Sequence, residues 1–385
     1  MNIDISRKLD AIPPSGIREF FDLVLGMEDI ISLGIGEPDF VTPWNISEAA
    51  IYALEKGYTS YTSNQGMESL RFDISSYLKK MYNLSYSYER EILITVGTSE
   101  GYDLALRALI NPGDEVLVPE PSYVSYFQVA KLAGAKPKYI DTTNSNFKIT
   151  PQLLKDSITK KTKLLVLNYP ANPTGVSYKR SELIELAKLI KKHNIVVLSD
   201  EIYGDLTYDF KHTPFSTLPG MKERTVYING FSKAYAMTGW RIGYVCGPSK
   251  IVSAMTKIHQ YTMLCAPIMS QIAASEALLK GGNALEEMKR EYLRRRNYVV
   301  ERLVELGFDF PYPDGAFYIY ASLRKDNFDG KQFSYELIKK KNVAVVPGVA
   351  FGRPGNNKNY IRICYTAEFD KLKEALDKIE QFIKE

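Results

Sequence analysis

At 385 residues, 45% of them hydrophobic and 24% charged, the chain has the composition of an ordinary globular protein, long enough for two cores and two domains, which argues against disorder. A net charge of +4 with no dense Lys/Arg block gives no case for nucleic acid or an anionic membrane surface and leaves small molecules as the expected partners. No run approaches the ~20 apolar residues that cross a bilayer, the opening MNIDISRKLDAIPPSG lacks an apolar signal core, and Cys246, Cys265 and Cys364 are scattered without metal-type spacing, so a cytoplasmic protein with reduced thiols and no metal is expected.

Residues 1–45 read as an N-terminal arm with part of a small domain: a polar start, a short amphipathic stretch from Ile17 to Leu25, and the turn-rich GIGEPDFVTP. Over residues 46–281, helical patterns alternate with the short apolar runs ILITV (92–96), EVLVP (115–119), KLLVLN (163–168), IVVLSD (195–200), TVYING (225–230) and IGYVCG (242–247). This alternation predicts a large α/β domain with a mostly parallel central sheet and helices on both faces. Several runs end in a polar residue or glycine followed by a helix start, and ligands of open α/β sheets bind outside the carboxyl ends of the strands. Residues 282–385 change character, with a charged helix EEMKREYLRRRNYVVERLVEL, strands AFYIYASL and VAVVP, and a final amphipathic helix EFDKLKEALDKIEQFIKE. They predict a smaller α+β domain closing on the large one. The arginine run 294–296 is expected to be a solvated helix face rather than an anion site.

The stretch NGFSKAYAMTGWRIGY (229–244) places Lys233 just after an apolar strand and Arg241 eight residues on. A lysine there reaches the crevice at the sheet edge, unlike the surface lysines that make up most of the chain's cations. Its amine becomes a nucleophile when the ammonium form is disfavoured, and a planar guanidinium offers two parallel donors to a phosphate. IVVLSDEIYGDL carries Asp200 and Tyr203 at a strand end, LNYPANPTG a tight turn holding Asn172, and ITVGTSEGYDLALRAL a strand running through Gly97, Thr98 and Ser99 into a helix whose N-terminal N–H groups favour an anion. Singly, the aspartate would be a helix cap and the other two a plain turn and a capped helix start.

Together these motifs resemble the class I and II aminotransferases, fold-type I enzymes dependent on pyridoxal 5′-phosphate, from about Ile17 to the C-terminus and in the family's order. The resemblance implies that Lys233 carries the cofactor as a Schiff base and serves as the base, that Asp200 faces the pyridine nitrogen, and that Tyr203 and Asn172 hold O3′. It also implies that Thr98, Ser99 and Arg241 hold the phosphate and that Tyr123, in EPSYVSYF, stacks on the ring. Gly36 in GIGEPDF and Arg362 in NYIRICYTA are then the contacts to the substrate carboxylate, with Asn172 beside them. Tyr61 in YTSYTSNQG reaches the phosphate of a neighbouring subunit, so a homodimer with shared sites is implied. Two positions depart from the family: Gly230 stands where many members have a phosphate-binding serine, and Tyr123 where aspartate-specific members often have tryptophan.

The expected reaction is a ping-pong transfer of an amino group from an L-amino acid to a 2-oxo acid such as 2-oxoglutarate. The region SGIREFFDLVLGMEDIISLGIGEPDF is similar to archaeal aspartate or aromatic aminotransferases, and Arg18 within it is one candidate cation for an acidic side chain. The alternative on the same fold is a C–S lyase or other elimination enzyme, since fold and cofactor do not decide which bond breaks. A transcriptional regulator would need a DNA-binding domain for which the arm leaves no room. A catalytically silent relative would be expected to lose Lys233 or Arg362.

Overall fold

The computed structural model describes residues 3–10, 12–18, 20, 27, 29–353 and 355–385. Of the amphipathic stretch expected from Ile17 to Leu25, residues 19 and 21–25 lie outside the described residues. Ile17 and Phe20 do lie within them, and they pack with Tyr320, Ile338 and Phe351.

The first strand, β1 (Ile31–Ser32), is two residues long. It is followed by a sheet of seven: β2 (Ile92–Thr95), β3 (Glu115–Glu120), β4 (Lys136–Asp141), β5 (Thr162–Asn168), β6 (Val196–Asp200), β7 (Thr225–Gly230) and β8 (Gly243–Cys246), in the spatial order β2-β8-β7-β6-β5-β3-β4. Six of the seven are the apolar runs read from sequence. They are Val-, Ile- and Leu-rich because apolar packing covers both faces, and β2, β7 and β8 are buried at every residue. The seventh, β4, has the sequence KPKYID and escaped the sequence reading. It is an edge strand and, unlike β2 at the other edge, which is covered and fully buried, it is half-exposed along most of its length, so neither an apolar run nor the absence of proline is required of it.

Only β8 runs against its neighbours, pairing antiparallel with β2 and β7. The other strands therefore point one way, and Thr95, Glu120, Asn168, Asp200 and Gly230 all end at one edge of the sheet, where β8 begins at Gly243. This direction places every motif singled out in the large part of the chain, apart from Tyr61, on that edge.

The remaining strands are β9 (Phe308–Asp309), β10 (Tyr318–Leu323), β11 (Val343–Ala344), β12 (Val346–Pro347) and β13 (Ile361–Cys364). They form an antiparallel sheet β12-β13-β10-β9, while β11 pairs parallel with β1. VAVVP, expected as one strand, is thus split at Val345, because the buried chain crosses there from one sheet to the other. Helices Gly282–Glu305, Gly330–Lys341 and Phe369–Lys384 flank these strands, the last burying Leu372, Ala375, Leu376 and Ile379 as its apolar stripe. One apolar cluster runs from Ile94, Tyr227 and Ala273 through to Ile319, Leu337 and Leu376, so packing continues across residue 281.

The arginine run differs from expectation. Arg294 is exposed, but Arg295 and Arg296 are 5% and 2% exposed. Arg295 pairs with Asp39 at 2.8 Å and Arg296 with Asp209 at 2.5 Å, and the Arg296 guanidinium lies 5.0 and 5.1 Å from the Tyr312 and Tyr208 rings. Both partners are remote in sequence, which is why a local charge pattern read as solvated. Arg295 also ties the GIGEPDF loop to the long helix through Asp39.

Candidate active site

Lys233 follows β7 and enters a cleft of about 390 Å³ that Thr98, Ser99, Tyr123, Asn172, Asp200, Tyr203, Arg241, Arg362 and Gly36 also line. Its Nζ donates to the Gly36 carbonyl at 2.6 Å and lies 5.7 Å from the Phe317 ring. Burial disfavours the ammonium form and lowers the Lys233 pKa to about 8; Cys364 and Glu37 oppose the shift, and Arg362 and Arg241 add to it. In the cofactor-free chain, an amine-reactive electrophile is therefore expected to label Lys233 with a rate that rises through a midpoint near pH 8. Surface lysines should rise through about 10, and peptide mapping of a labelling series checks the difference.

Asp200 ends β6 and is 6% exposed. Burial raises its carboxyl pKa to about 6, against hydrogen bonds from the Tyr126 hydroxyl and the Ile202 N–H that favour the charged form; Glu201 raises it and Lys233 lowers it. Tyr126 Oη donates to Asp200 Oδ2 at 2.7 Å, and Tyr102 Oη donates to the Tyr126 carbonyl at 2.9 Å. Tyr126 went unnoticed in the sequence, although its position three residues after Tyr123, in the first turn of the helix Ser125–Leu132, was the available signal.

The turn from β2 into the helix Gly97–Leu109 is built for close approach. Gly97 has φ +74°, and a Cβ there would lie 2.8 Å from Arg241 Nη2; a Cβ on Gly243 would lie 2.9 Å from the Gly97 carbonyl carbon and the Thr98 nitrogen. Glu100 accepts from the Val96 N–H at 2.6 Å through Oε2, and its Oε1 is 2.7 Å from His259 Nδ1. Glu100 thus satisfies the N-cap donor, while the N–H groups of the first turn have no intrahelical acceptor. Arg241, at φ 51°, is braced by an Nη1 bond to the Thr238 carbonyl at 2.9 Å. A side chain at Gly230 would press on Gly243 Cα at 3.0 Å and on the Ile242 carbonyl at 3.1 Å, which accounts for the glycine there.

The opposite wall belongs to β13. Arg362 is 2% exposed; Nη1 donates to Asn172 Oδ1 at 2.9 Å and Nη2 to the Gly34 carbonyl at 2.6 Å, while Nε is buried without an acceptor. Its guanidinium lies 4.6 Å from the Tyr318 ring centre and 4.9 Å from that of Phe351. Asn172 is held in turn by its own N–H, which donates to Asn168 Oδ1 at 3.0 Å. Tyr203 Oη is 2.7 Å from Tyr318 Oη. Tyr123 stands edge-on to Tyr126, ring centres 5.7 Å apart.

Ten of the eleven predicted site residues therefore meet in one cleft. Tyr61 does not: it is 82% exposed and lies outside the lining. Tyr126 and Tyr318 line the cleft and Glu100 braces its wall, and none of the three was singled out from sequence. Among the described residues no group of three His, Cys, Asp or Glu could hold a metal, and no helix is long and apolar enough to cross a membrane.

An arrangement of buried amine, buried carboxylate, open helix N-terminus and buried guanidinium is the apparatus of a cofactor-carrying transferase. The chain belongs to the family aminotransferase class I and II, which it matches over residues 28–379, and it is a pyridoxal-phosphate-dependent transaminase of fold type I. It is 50% identical over 380 residues to YugH of Bacillus subtilis, provisionally named an aminotransferase, with 98% of each chain covered. It is 43% identical over 385 residues to the aspartate aminotransferase of Pyrococcus abyssi, covering 99% of this chain and 98% of that one. The crystal structure of an aromatic aminotransferase from Pyrococcus horikoshii superposes with a TM-score of 0.89 at 41% identity, covering 96% and 98% of the two chains. The cleft fits the cofactor: the Gly97–Gly243 contact leaves no side chain between the first-turn amides and Arg241, Lys233 has a depressed pKa, and the Arg362 Nε is still without an acceptor for a substrate carboxylate.

Proposed function

We propose that this enzyme moves the amino group of an L-amino acid with an aromatic or aspartate-like side chain to a 2-oxo acid such as 2-oxoglutarate, in two half-reactions with the donor leaving as its oxo acid before the acceptor enters. The observation that carries the reading is the convergence on one cleft of Lys233 from the turn after β7, Asp200 from the end of β6 and Arg362 from β13. When bound, pyridoxal phosphate supplies an aldehyde for the incoming amine and an electron-withdrawing ring that acidifies the substrate's α-carbon. Lys233 would hold it covalently, Thr98, Ser99 and Arg241 would take its phosphate, Asn172 and Tyr203 its phenolic oxygen, and Tyr123 its face.

The chain's own groups then divide the work. Arg362, whose Nε has no acceptor and whose Nη1 is shared with Asn172, grips the substrate carboxylate together with the Gly36 backbone and so selects α-amino acids. Asp200, ionised, would balance a protonated ring nitrogen of the cofactor; the Tyr126 hydroxyl and the Ile202 N–H donate to its carboxylate and favour that charge. Lys233, an amine whose charged form burial disfavours, would on displacement by substrate take the proton from the α-carbon and deliver it to the former aldehyde carbon of the cofactor. Ile17, Ile35 and Tyr123 line the cleft and offer apolar room to a donor's side chain. We further infer a homodimer in which exposed Tyr61 serves the partner's site, and a cytoplasmic enzyme, supported by three unpaired cysteines.

Ranking kcat/KM for phenylalanine, tyrosine, aspartate, alanine and kynurenine with 2-oxoglutarate tests the reading. Aromatic or acidic donors should exceed alanine by about tenfold or more, and double-reciprocal plots should be parallel. A clear preference for alanine would overturn the substrate assignment. Arg362→Lys should lower kcat/KM for every donor on the order of 100-fold, because a lysine cannot make the paired bonds of a guanidinium; an unchanged value would remove Arg362 from the carboxylate site.

A further inference from the structure

Tyr318 touches three of the groups to which function has been given, and the reaction as described does not use it. It stands on β10 and is 1% exposed. Its hydroxyl is 2.7 Å from that of Tyr203 and 3.4 Å from the Gly36 carbonyl, and its ring lies under the Arg362 guanidinium at 4.6 Å. A Cβ on Gly36 would collide with the Tyr318 hydroxyl, so a glycine is required in the substrate loop wherever this phenol is present.

Each phenol has one proton to give, and this fixes the possibilities. Burial raises both phenol pKa values above the ordinary range, so both keep their protons at neutral pH. If Tyr318 donates to Gly36, Tyr203 has to spend its proton on Tyr318. If Tyr318 donates to Tyr203, the Tyr203 proton is left for another acceptor. Geometry selects the second arrangement: the Tyr318–Gly36 contact, at 3.4 Å, is at the long limit of a hydrogen bond, while the Tyr318–Tyr203 contact, at 2.7 Å, is short.

We propose that Tyr318 is a positioning residue that donates its proton to Tyr203 and so commits Tyr203 to donate to the cofactor's phenolic oxygen, while its ring seats the carboxylate-binding Arg362. The inference rests on the assignment of Tyr203 to that oxygen. A phenol that accepts one hydrogen bond donates another more strongly, so the Tyr318–Tyr203 pair stabilises the deprotonated oxygen of the bound cofactor. The two duties of Tyr318 are separable, because the hydroxyl serves Tyr203 and the ring serves Arg362.

The test uses the cofactor-loaded wild type, Tyr318→Phe, Tyr318→Leu, Tyr203→Phe and the Tyr203→Phe/Tyr318→Phe double variant, read by pH titration of the visible chromophore and by steady-state kinetics. Tyr318→Phe should raise the chromophore's pH midpoint by about half a unit and lower kcat several-fold, with donor KM within about twofold of wild type. Tyr318→Leu should give the same midpoint shift and also raise KM, and it serves in place of the Phe variant should that chain fail to fold. In the Tyr203→Phe background, removing the Tyr318 hydroxyl should leave the midpoint where Tyr203→Phe alone puts it. An unmoved midpoint in Tyr318→Phe, or an equal shift with Tyr203 absent, overturns the proposal. A wild-type protein with neither a visible band nor transamination would instead defeat the functional reading itself.

Discussion

Lys233→Ala is expected to lower kcat/KM for transamination by about 10,000-fold, with any donor, while the chain still folds. The size follows from two losses at one atom: the amine that anchors the cofactor and the base that moves the α-carbon proton, the latter alone contributing about 100- to 10,000-fold. Lys233 is the only lysine lining the cleft among the described residues, so no neighbour can substitute. Stability should move the other way. The folded Lys233 has a pKa of about 8, below the ordinary 10.5, so the fold disfavours its charged form, and the contribution present above pH 10.5 is lost as pH falls through 8. At pH 7 the cofactor-free alanine variant should melt no lower than wild type in a thermal scan, and a large drop would mean that Lys233 holds the fold rather than the chemistry.

Asp200→Asn should lower kcat on the order of 100- to 1,000-fold, the scale of removing one charge placed where the reaction develops it. Asparagine keeps the size and can still accept from Tyr126, so the loss reports the charge. The cofactor-free chain offers a second reading of the same residue. The folded Asp200 pKa is about 6 and its ordinary value 3.8, so stability is fully present below about pH 4 and is lost as pH rises through 6, by up to about 3 kcal/mol for the two-unit difference. The asparagine variant should lose that slope and be the more stable chain at pH 7. Urea denaturation of both cofactor-free proteins at pH 4 and pH 7 checks it, and parallel pH dependence in the two would contradict the assignment of a buried, strained carboxylate.

What could be read from sequence was local. The six apolar strands announce themselves because burial on two faces demands Val, Ile and Leu, and their ends locate Gly97, Asn172, Asp200 and Lys233 because strand direction brings carboxyl ends together. KPKYID carries no such demand at a sheet edge. Arg295 and Arg296 sit in a charged helix whose pattern suggests solvent, yet Asp39 and Asp209, far away in sequence, bury them. Tyr126 and Tyr318 are two of 27 tyrosines, and only contacts spanning 74 and 115 residues, to Asp200 and Tyr203, distinguish them from packing residues. Tyr61 stands apart for another reason: the role implied for it belongs to a second subunit, and within one chain its side chain faces outward.

The most direct test is borohydride reduction of the reconstituted protein followed by proteolysis and mass mapping. The account predicts the reduced cofactor on the peptide containing Lys233 and on no other. Cofactor fixed to a different lysine, or to none while transamination persists, would contradict it.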